Sequence, residues 1–472
     1  MPTHKYNQVL MILLTLILIL PSCFYAHSEN ITEDKTDFKP PYIKKSNHSL
    51  YYGVKGFTYQ KLQVLAQQRI HQDQINFFVG LKYNYLVAED WLFDSDIKLV
   101  HRRNDNFNSE QDESFTFLEV KRFKLIKENF FGSLFWDLEL GRDRLKSRAS
   151  WLFDDEIDFI ELNRNSTLLD INLFAAKWLW DARVGADLNT LSEEQKIETT
   201  GSKYLSGELN YQWFYNHYFQ FNILHEDYIN SRAFREEEFN LRTLVRESEL
   251  TWFRAALHGS KKYNVSTDID YWFDIATLSG ERSIDDPRDD FKTIIKQKMS
   301  GGHAYRMGIT TRFENNKYAF GIGYDLASSG EAITKKTELF IQPFIASNRS
   351  KIFGFSKRRI YGEVLAPQLS NLQVFHLGGG YAIDENQWLE LSLYNYRQDE
   401  ARSDTLLYRQ NDLLSGASKD IGWEVDFSLG MRFPNELRVE SVFAYLKAGR
   451  SFEYQYDKNG SYRISLNFVK DW

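Results

Sequence analysis

The sequence of 472 residues contains a single cysteine, Cys23. Because Cys23 lies near the N-terminus, the rest of the chain can form no disulfide, thiolate metal site or cysteine nucleophile. Beyond residue 20, no apolar run reaches the about 20 residues that a membrane helix needs. The sequence also lacks a Gly-x-Ser-x-Gly elbow, a His-Glu-x-x-His pair and a P-loop. We therefore predict no enzyme activity, no metal and no cofactor.

The N-terminus has the features of a secretory signal peptide. Lys5 supplies a positive charge, and residues 9–20 form an apolar run that is too short to span a bilayer comfortably. Ala26-His27-Ser28 offers small residues to a signal peptidase, which predicts residues 1–28 as a cleaved signal peptide. The alternative is a lipoprotein site at Cys23, although a proline stands where that motif needs a different small residue.

Aromatic residues are abundant and prolines are few: 27 Tyr, 36 Phe and 11 Trp against 8 Pro. The aromatic and apolar residues alternate with polar ones, as residues 421–433 and 462–468 show most clearly. Further alternating pairs of segments occur at 208–224 and 305–325, each interrupted by asparagine. Because successive side chains of a strand point to opposite faces, this pattern predicts hairpins with one apolar and one polar face.

The fold predicted from these hairpins is a transmembrane antiparallel β-barrel over residues 50–472. At roughly ten residues per strand plus turns, the chain supplies about 16–20 strands, enough to enclose a water-filled lumen. Residues 29–49 alternate poorly and predict a flexible periplasmic lead-in. A secreted sandwich or propeller is the alternative, but no repeat of about 40–50 residues supports it. Polar interruptions predict loops that cover or plug the barrel at residues 104–113, 285–298 and 398–418.

Five short segments carry most of the further signal. They are Gly141-Arg142-Asp143-Arg144 followed by Trp151 and Asp154, Ser347-Asn348-Arg349, Tyr361-Gly362-Glu363, Leu369-Ser370-Asn371-Leu372-Gln373, and Asp420-Ile421-Gly422 followed by Glu424. In this order they resemble segments of the alginate export porin family, and the resemblance runs from about Val54 to the C-terminus. One departure is Asp143, which stands where the family has a neutral glutamine.

The resemblance implies an eighteen-stranded, monomeric barrel in the outer membrane of a Gram-negative cell. Such a barrel exports alginate or a related polyuronate passively through a basic constriction. The implied partners are the anionic polysaccharide, outer-membrane lipid and a periplasmic scaffold, whereas a formal net charge of −7 argues against nucleic acid. The constriction positions that the resemblance implies are Lys55, Lys82, Lys121, Arg144, Asp154, Arg349, Lys357 and Arg438.

The chemistry of a polyuronate fits a basic constriction, because each sugar carries a carboxylate. We expect Asp154 to orient the guanidinium of Arg144, since carboxylates pair well with its planar fork. Strict alternation after Leu140 would turn Arg144 towards lipid, at a cost of about 2–4 kcal/mol near the midplane. We therefore predict a bulge or strand end near Gly141.

Two other functions remain open on the residues alone. An uptake porin for anionic oligosaccharides or small anions would use a similar barrel and a similar basic lining. A barrel hydrolase would need a Ser/His or Asp/His site, for which His225 and His303 are candidates. Histidines on a polar strand face are more often solvated lumen or loop residues.

Overall fold

The structure, a computed structural model, describes residues 47–63, 68–106, 113–179, 202–229, 245–285, 293–331, 334–343, 345–351, 355–402, 414–434, 436–452 and 460–471. Within these ranges, eighteen strands form the wall: β1 (Asn47–Gln63), β2 (Gln68–Ala88), β3 (Trp91–Asn106), β4 (Glu113–Lys127), β5 (Trp136–Lys146), β6 (Asp154–Arg164), β7 (Leu169–Lys177), β8 (Lys203–Phe214), β9 (His217–Ile229), β10 (Val245–Asn264), β11 (Thr267–Asp285), β12 (Ile294–Phe313), β13 (Tyr318–Ala327), β14 (Leu372–Ala382), β15 (Gln387–Gln398), β16 (Asp420–Arg432), β17 (Leu437–Ala448) and β18 (Ser461–Asp471).

Each strand pairs antiparallel with its neighbours in the chain, and β18 closes the cylinder against β1. The register of the closing pair runs from Tyr51 opposite Asp471 to Gln60 opposite Tyr462. The predicted antiparallel barrel and the eighteen strands implied by the resemblance are both confirmed. No helix in these parts of the chain is long and apolar enough to cross a membrane.

The wall strands alternate between two environments. On β10, Trp252 and Arg254 point into the barrel and are buried, whereas the side chain between them, Phe253, is 46% exposed on the outer face. On β2, Phe77 and Val79 are likewise about half exposed, at 50% and 51%. A broad apolar surface of this kind drives association in water but is well solvated by hydrocarbon chains. The outer face of the wall is therefore suited to lipid.

The two ends of the barrel differ in the length of their connections. At one end the strands are joined by short turns such as residues 89–90 and 265–266, and β1 begins and β18 ends at this same end. At the other end the connections include residues 178–202 and 328–371. We call these ends the short-turn rim and the long-loop rim. In outer-membrane barrels the short turns lie on the periplasmic side.

The connection between β13 and β14 spans residues 328–371, and its described part, which we call the inner segment, enters the lumen. Phe340, Tyr361 and Leu365 within it are fully buried. The indole Nε1 of Trp252 on β10 donates a 2.7 Å hydrogen bond to the carbonyl oxygen of Ile341. The inner segment therefore forms part of the packed interior of the barrel.

The prediction of the covering loops was partly wrong. The inner segment was missed because apolar residues such as Phe340 and Ile341 interrupt its polar ones, so that no long polar run marks it. Residues 104–106 belong to β3 and residues 294–298 to β12, so two of the predicted loops are shorter than expected. Most of the predicted lead-in and the whole predicted signal peptide, together residues 1–46, lie outside the described residues.

Candidate substrate path

The hairpin of β5 and β6 leaves the barrel wall near its tip. Pairing of β5 with β4 ends where Arg142 stands opposite Phe123, while pairing with β6 continues to Lys146 opposite Asp154. Gly141 marks the departure with a φ of +133°, and a Cβ there would lie 2.2 Å from the carbonyl oxygen of Phe123. Only glycine tolerates this conformation and this close approach of two backbones. Neither the bulge nor the strand end expected near Gly141 is present, because β5 continues in register with β6 to Lys146; what ends there is the pairing of β5 with β4.

Beyond Gly141 the hairpin contacts the inner segment through backbone hydrogen bonds. The amide of Asp154 donates to the carbonyl oxygen of Ile345 at 2.7 Å, and the amide of Asn348 donates to the carbonyl oxygen of Ser150 at 3.0 Å. The indole Nε1 of Trp151 also donates to the hydroxyl of Tyr361, at 3.0 Å. These contacts hold the hairpin tip against the interior of the lumen.

Asp154 is the centre of a charged group at this junction. Its carboxylate, which is buried, accepts hydrogen bonds from Nε of Arg144 and from the hydroxyl of Ser347. Nζ of Lys357 lies 3.4 Å from Oδ2 of the same carboxylate. The side chains of Arg144 and Lys357 remain 38% and 33% exposed. Two cations thus share one carboxylate, and water in the lumen can reach the side chains of both cations.

The environment of Lys357 weakens its basicity. Partial burial lowers the pKa of Lys357 most, and repulsion from the guanidinium of Arg144 lowers it further against the opposing attraction of Asp154. The resulting pKa is about 8, compared with an ordinary value of 10.5. Lys357 is therefore charged at neutral pH and loses its charge in mildly alkaline solution.

The inner segment carries further cations next to this group. Arg349–Ser350 pairs antiparallel with Arg358–Arg359 in a short ladder. Burial opposes the ionisation of Glu363, but the guanidinium of Arg359, followed by that of Arg349, outweighs it and lowers the pKa of Glu363 to about 2. Since Glu363 is the only carboxylate between residues 349 and 363, this part of the inner segment has a strong excess of positive charge.

Carboxylates on the wall hold the inner segment by its backbone. The two oxygens of Glu424 on β16 accept from the amides of Val364 and Leu365 at 2.7 and 3.0 Å. The hydroxyl of Tyr396 on β15 donates to the same carboxylate at 3.1 Å. Gly362 makes this close approach feasible, because its φ is +81° and a Cβ would lie 2.2 Å from the Tyr396 hydroxyl. Charge-assisted bonds of this kind fix geometry as well as adding stability.

The remaining predicted cations lie along the wall. Nζ of Lys82 lies 4.7 Å from the centroid of the Tyr51 ring, and Lys55 occupies the same face of β1 as Tyr51. Lys121 stands at an irregularity in the pairing of β3 with β4. Arg438 is next to the short-turn rim, opposite the last residue of β16. The structure thus joins Arg144, Asp154 and Lys357, sets Arg349 on the neighbouring ladder, and distributes the other four along the wall.

Asp143, the departure from the family pattern, is part of a local ion-pair network. Its carboxylate lies 2.7 Å from Nζ of Lys124 and 3.0 Å from Nε of Arg122. The same two cations of β4 also pair with Asp94 and Glu139, so Asp143 belongs to a network of three carboxylates and two cations.

Several charged contacts on the inner wall were not predicted from the sequence. Nε of Arg254 donates to Asp274 at 2.9 Å, and its Nη1 donates to Gln220 and Asn222. The alternation on β10 predicts that Arg254 faces inwards. Its partners, however, come from β9 and β11, and alternation within a single strand cannot predict such pairs.

The comparisons with known proteins agree with this geometry. The family model for alginate export matches residues 55–465. The chain belongs to the alginate export family. The alginate production protein AlgE of Pseudomonas aeruginosa is 27% identical over 314 residues, which cover 66% of this chain and 62% of the relative. The match therefore spans less than two thirds of that protein. AlgE of Azotobacter vinelandii is 26% identical over 406 residues, covering 77% of this chain and 76% of the relative.

Solved structures show the same architecture at much lower identity. OccAB2 of Acinetobacter baumannii has a TM-score of 0.56 and 11% identity, covering 90% of this chain and 98% of its own. OccK7 of Pseudomonas aeruginosa has a TM-score of 0.54 and 9% identity, covering 91% and 99%. At this identity the likeness concerns the fold alone. Together with the family and the apolar outer face, it places the chain among the barrels of the Gram-negative outer membrane.

The segments that suggested the alginate export family are the ones that build this junction. Gly141 is where the hairpin leaves β4, and Ser347 reaches the carboxylate of Asp154. Gly362 and Glu424 meet where the wall holds the inner segment. The resemblance therefore rests on residues that determine the shape of the lumen.

Proposed function

We propose that this barrel exports an anionic exopolysaccharide, alginate or a close polyuronate relative, by passive passage through a basic constriction in the lumen. The observation that carries the proposal is the sharing of one buried carboxylate, Asp154, by Arg144 and Lys357, at the place where the inner segment meets the β5–β6 hairpin. Membership of the alginate export family gives the class of substrate. No covalent step is involved, and synthesis on the inner-membrane side supplies the drive.

The charge balance suits a polymer that must keep moving. A site that bound each carboxylate tightly would stall transport, whereas several weak sites in series allow it. Asp154 reduces the attraction of Arg144 and Lys357 for a passing uronate without cancelling it. The cations of the inner segment, Arg349 among them, and those of the wall, such as Lys55 and Lys121, continue the path in both directions. A periplasmic scaffold that delivers the polymer to the short-turn rim is part of the proposal.

The proposal is tested by conductance of the purified barrel in a planar bilayer, with an oligouronate added at increasing concentration. We expect anion-selective current that the oligouronate blocks. Replacing Arg144 or Lys357 by glutamine should lower the anion selectivity and weaken the block by about tenfold, because one charged contact is worth roughly 1.4 kcal/mol or more.

The matched control is Lys262→Gln, which removes a positive charge from an exposed residue near the short-turn rim. This variant should keep the selectivity and the block of the native barrel. A native barrel that prefers cations and is not blocked by the oligouronate would contradict the proposal. An equal loss of block in Lys262→Gln and in the Arg144 and Lys357 variants would also contradict it.

A further inference from the structure

A pocket of about 510 Å³ lies inside the lumen, beside the charged junction. The residues that line it include Arg148, Tyr218, His258, Trp272, Arg306 and Lys351. The volume is within the about 300–1,000 Å³ of typical small-ligand sites, and aromatic and polar groups converge on it as they do there.

The pocket opens on the short-turn side of the inner segment. One part of its lining comes from the hairpin tip and the inner segment, which supply Arg148 and Lys351. The other part comes from β9 to β12 close to the short-turn rim, where Asn216 lies in the turn between β8 and β9 and Asp270 is the fourth residue of β11. A polymer that enters at the short-turn rim therefore passes this pocket before it reaches Asp154.

Positive charge exceeds negative charge in the pocket lining. Its carboxylate, Asp270, is already paired with Arg312. Arg148 donates instead to a ring nitrogen, Nδ1 of His258, at 2.5 Å, and in the part of the chain that the structure describes it has no carboxylate within ion-pair distance. Arg306 also lines the pocket, with Nε 3.3 Å from Asp325 on the neighbouring strand.

Arg148 keeps its charge at neutral pH. Loss of hydration lowers the pKa of Arg148 most, Asp274 opposes this effect, and repulsion from Arg254 and Arg306 adds to it. The resulting pKa is about 10, so the guanidinium stays protonated. An arginine that is bound to a neutral acceptor, with no carboxylate within ion-pair distance among the described residues, is well placed to take an anion from the lumen.

Aromatic rings supply the second element of recognition. The guanidinium carbon of Arg306 lies 5.6 Å from the centroid of the Trp272 ring, and the rings of Tyr218 and His258 are stacked with centroids 5.1 Å apart. A pyranose ring has C–H groups on its faces and hydroxyl groups around its edge. An aromatic face together with polar neighbours such as Asn216 therefore complements a sugar better than a small inorganic anion.

We propose that this pocket is a receiving site for one uronate unit of the polymer, with Arg148 and Lys351 facing the carboxylate and Trp272 or Tyr218 facing the sugar ring. The inference rests on the proposed function and deepens it, because it adds a defined step before the constriction. A weak site here raises the local concentration of chain ends and aligns them with the inner segment. It also makes the two entrances of the barrel unequal for a uronate.

The test is isothermal titration calorimetry of the detergent-solubilised barrel with sodium galacturonate, and with galactose as the neutral control. We expect galacturonate to bind and galactose to bind at least about tenfold more weakly. Arg148→Gln should weaken galacturonate binding by about tenfold, and Tyr218→Leu by a smaller factor. Lys262→Gln should leave it unchanged, and far-UV circular dichroism verifies that each variant is folded.

Equal binding of the two sugars, no binding of galacturonate, or native affinity in Arg148→Gln would overturn the receiving site. Conductance separates this result from the proposed function, because galacturonate should block from the short-turn side at lower concentration than from the long-loop side. Galacturonate binding that depends on Arg148 in a barrel that passes no oligouronate would support the pocket and refute export. Oligouronate transport without galacturonate binding would support export and refute the pocket.

Discussion

The outer part of the wall and the tip of the β5–β6 hairpin follow different rules, although both are made of strands. On β2 the apolar residues at alternate positions are exposed on the outside, as Phe77 and Val79 are, and Leu99 is exposed in the same way on β3. The hairpin follows the same rule as far as Leu140 and then abandons it at Gly141, after which Arg144 contacts Asp154. The wall is organised by the two solvents on its faces, whereas the tip is organised by specific charged contacts.

This difference locates the features that can change function without changing the fold. The outer face of the wall tolerates any side chain that suits lipid, since lipid imposes no particular geometry. The contacts that join the wall to the tip and the inner segment depend on individual groups. Removal of Glu424 leaves buried amides without their acceptor, and a side chain at Gly362 would collide with those of Tyr396 and Glu424. Substitutions in the two regions should therefore differ in their effects on stability and on anion selectivity.

The largest effect is expected for Glu424→Ala. The amides of Val364 and Leu365 and the hydroxyl of Tyr396 would lose their acceptor inside the barrel. Since a buried group without its partner costs about 1–3 kcal/mol, the free energy of unfolding should fall by on the order of 3 kcal/mol or more. Urea unfolding in lipid vesicles measures this loss, and the released inner segment should become accessible to trypsin.

Glu440→Ala is the matched control, because Glu440 is a half-buried carboxylate of the neighbouring strand, nearer the short-turn rim. Its loss should change the free energy of unfolding by less than about 1 kcal/mol. Equal losses in the two variants would mean that the wall carboxylates stabilise the barrel generally and do not hold the inner segment.

A smaller loss is expected for Gly141→Ala. A methyl group there would meet the carbonyl oxygen of Phe123 at 2.2 Å in a backbone conformation that only glycine adopts readily. We expect a loss of about 2 kcal/mol in the free energy of unfolding, together with a lower anion selectivity if Arg144 is displaced. In Gly56→Ala, where the nearest atom would be Gln74 O at 3.7 Å, the loss should stay below about 1 kcal/mol. A native free energy of unfolding and native anion selectivity in Gly141→Ala would show that the hairpin can leave the wall without this conformation.

The same contrast explains which features the sequence predicted. Alternation within residues 421–433 predicted a strand that the structure places at Asp420–Arg432, because strand faces are a local property of the chain. A departure near Gly141 was also predicted, because a charged residue on the lipid side is costly. Its form, an end of the pairing with β4 rather than a bulge or a strand end, was not. The pairing of Arg144 with Asp154 followed from the spacing of a family motif and the chemistry of carboxylates.

The interior of the barrel was less predictable. Ser347 and Asp154 are far apart in the chain, and no periodic pattern brings their side chains together. Polar and apolar residues are interspersed along the inner segment, so a search for long polar loops passes over it. The pair Arg254–Asp274 and the pocket near Arg148 depend on the register between strands, which one sequence does not specify.

The smallest effect is expected from a change of pH. Such a change alters the charge in the lumen but not the stability of the wall. The pKa of Lys357 is about 8, so the lysine is protonated at pH 7 and mostly neutral at pH 9. Together with Arg144 and Asp154, the group then passes from an excess of one positive charge to none. Anion selectivity, measured from the reversal potential in a salt gradient, should therefore decrease as the pH rises from 7 to 9. Lys357→Met should show a lower selectivity that changes less over this interval. Because both curves come from folded barrels, an equal pH dependence in the two would assign the titration to another group and remove Lys357 from the path.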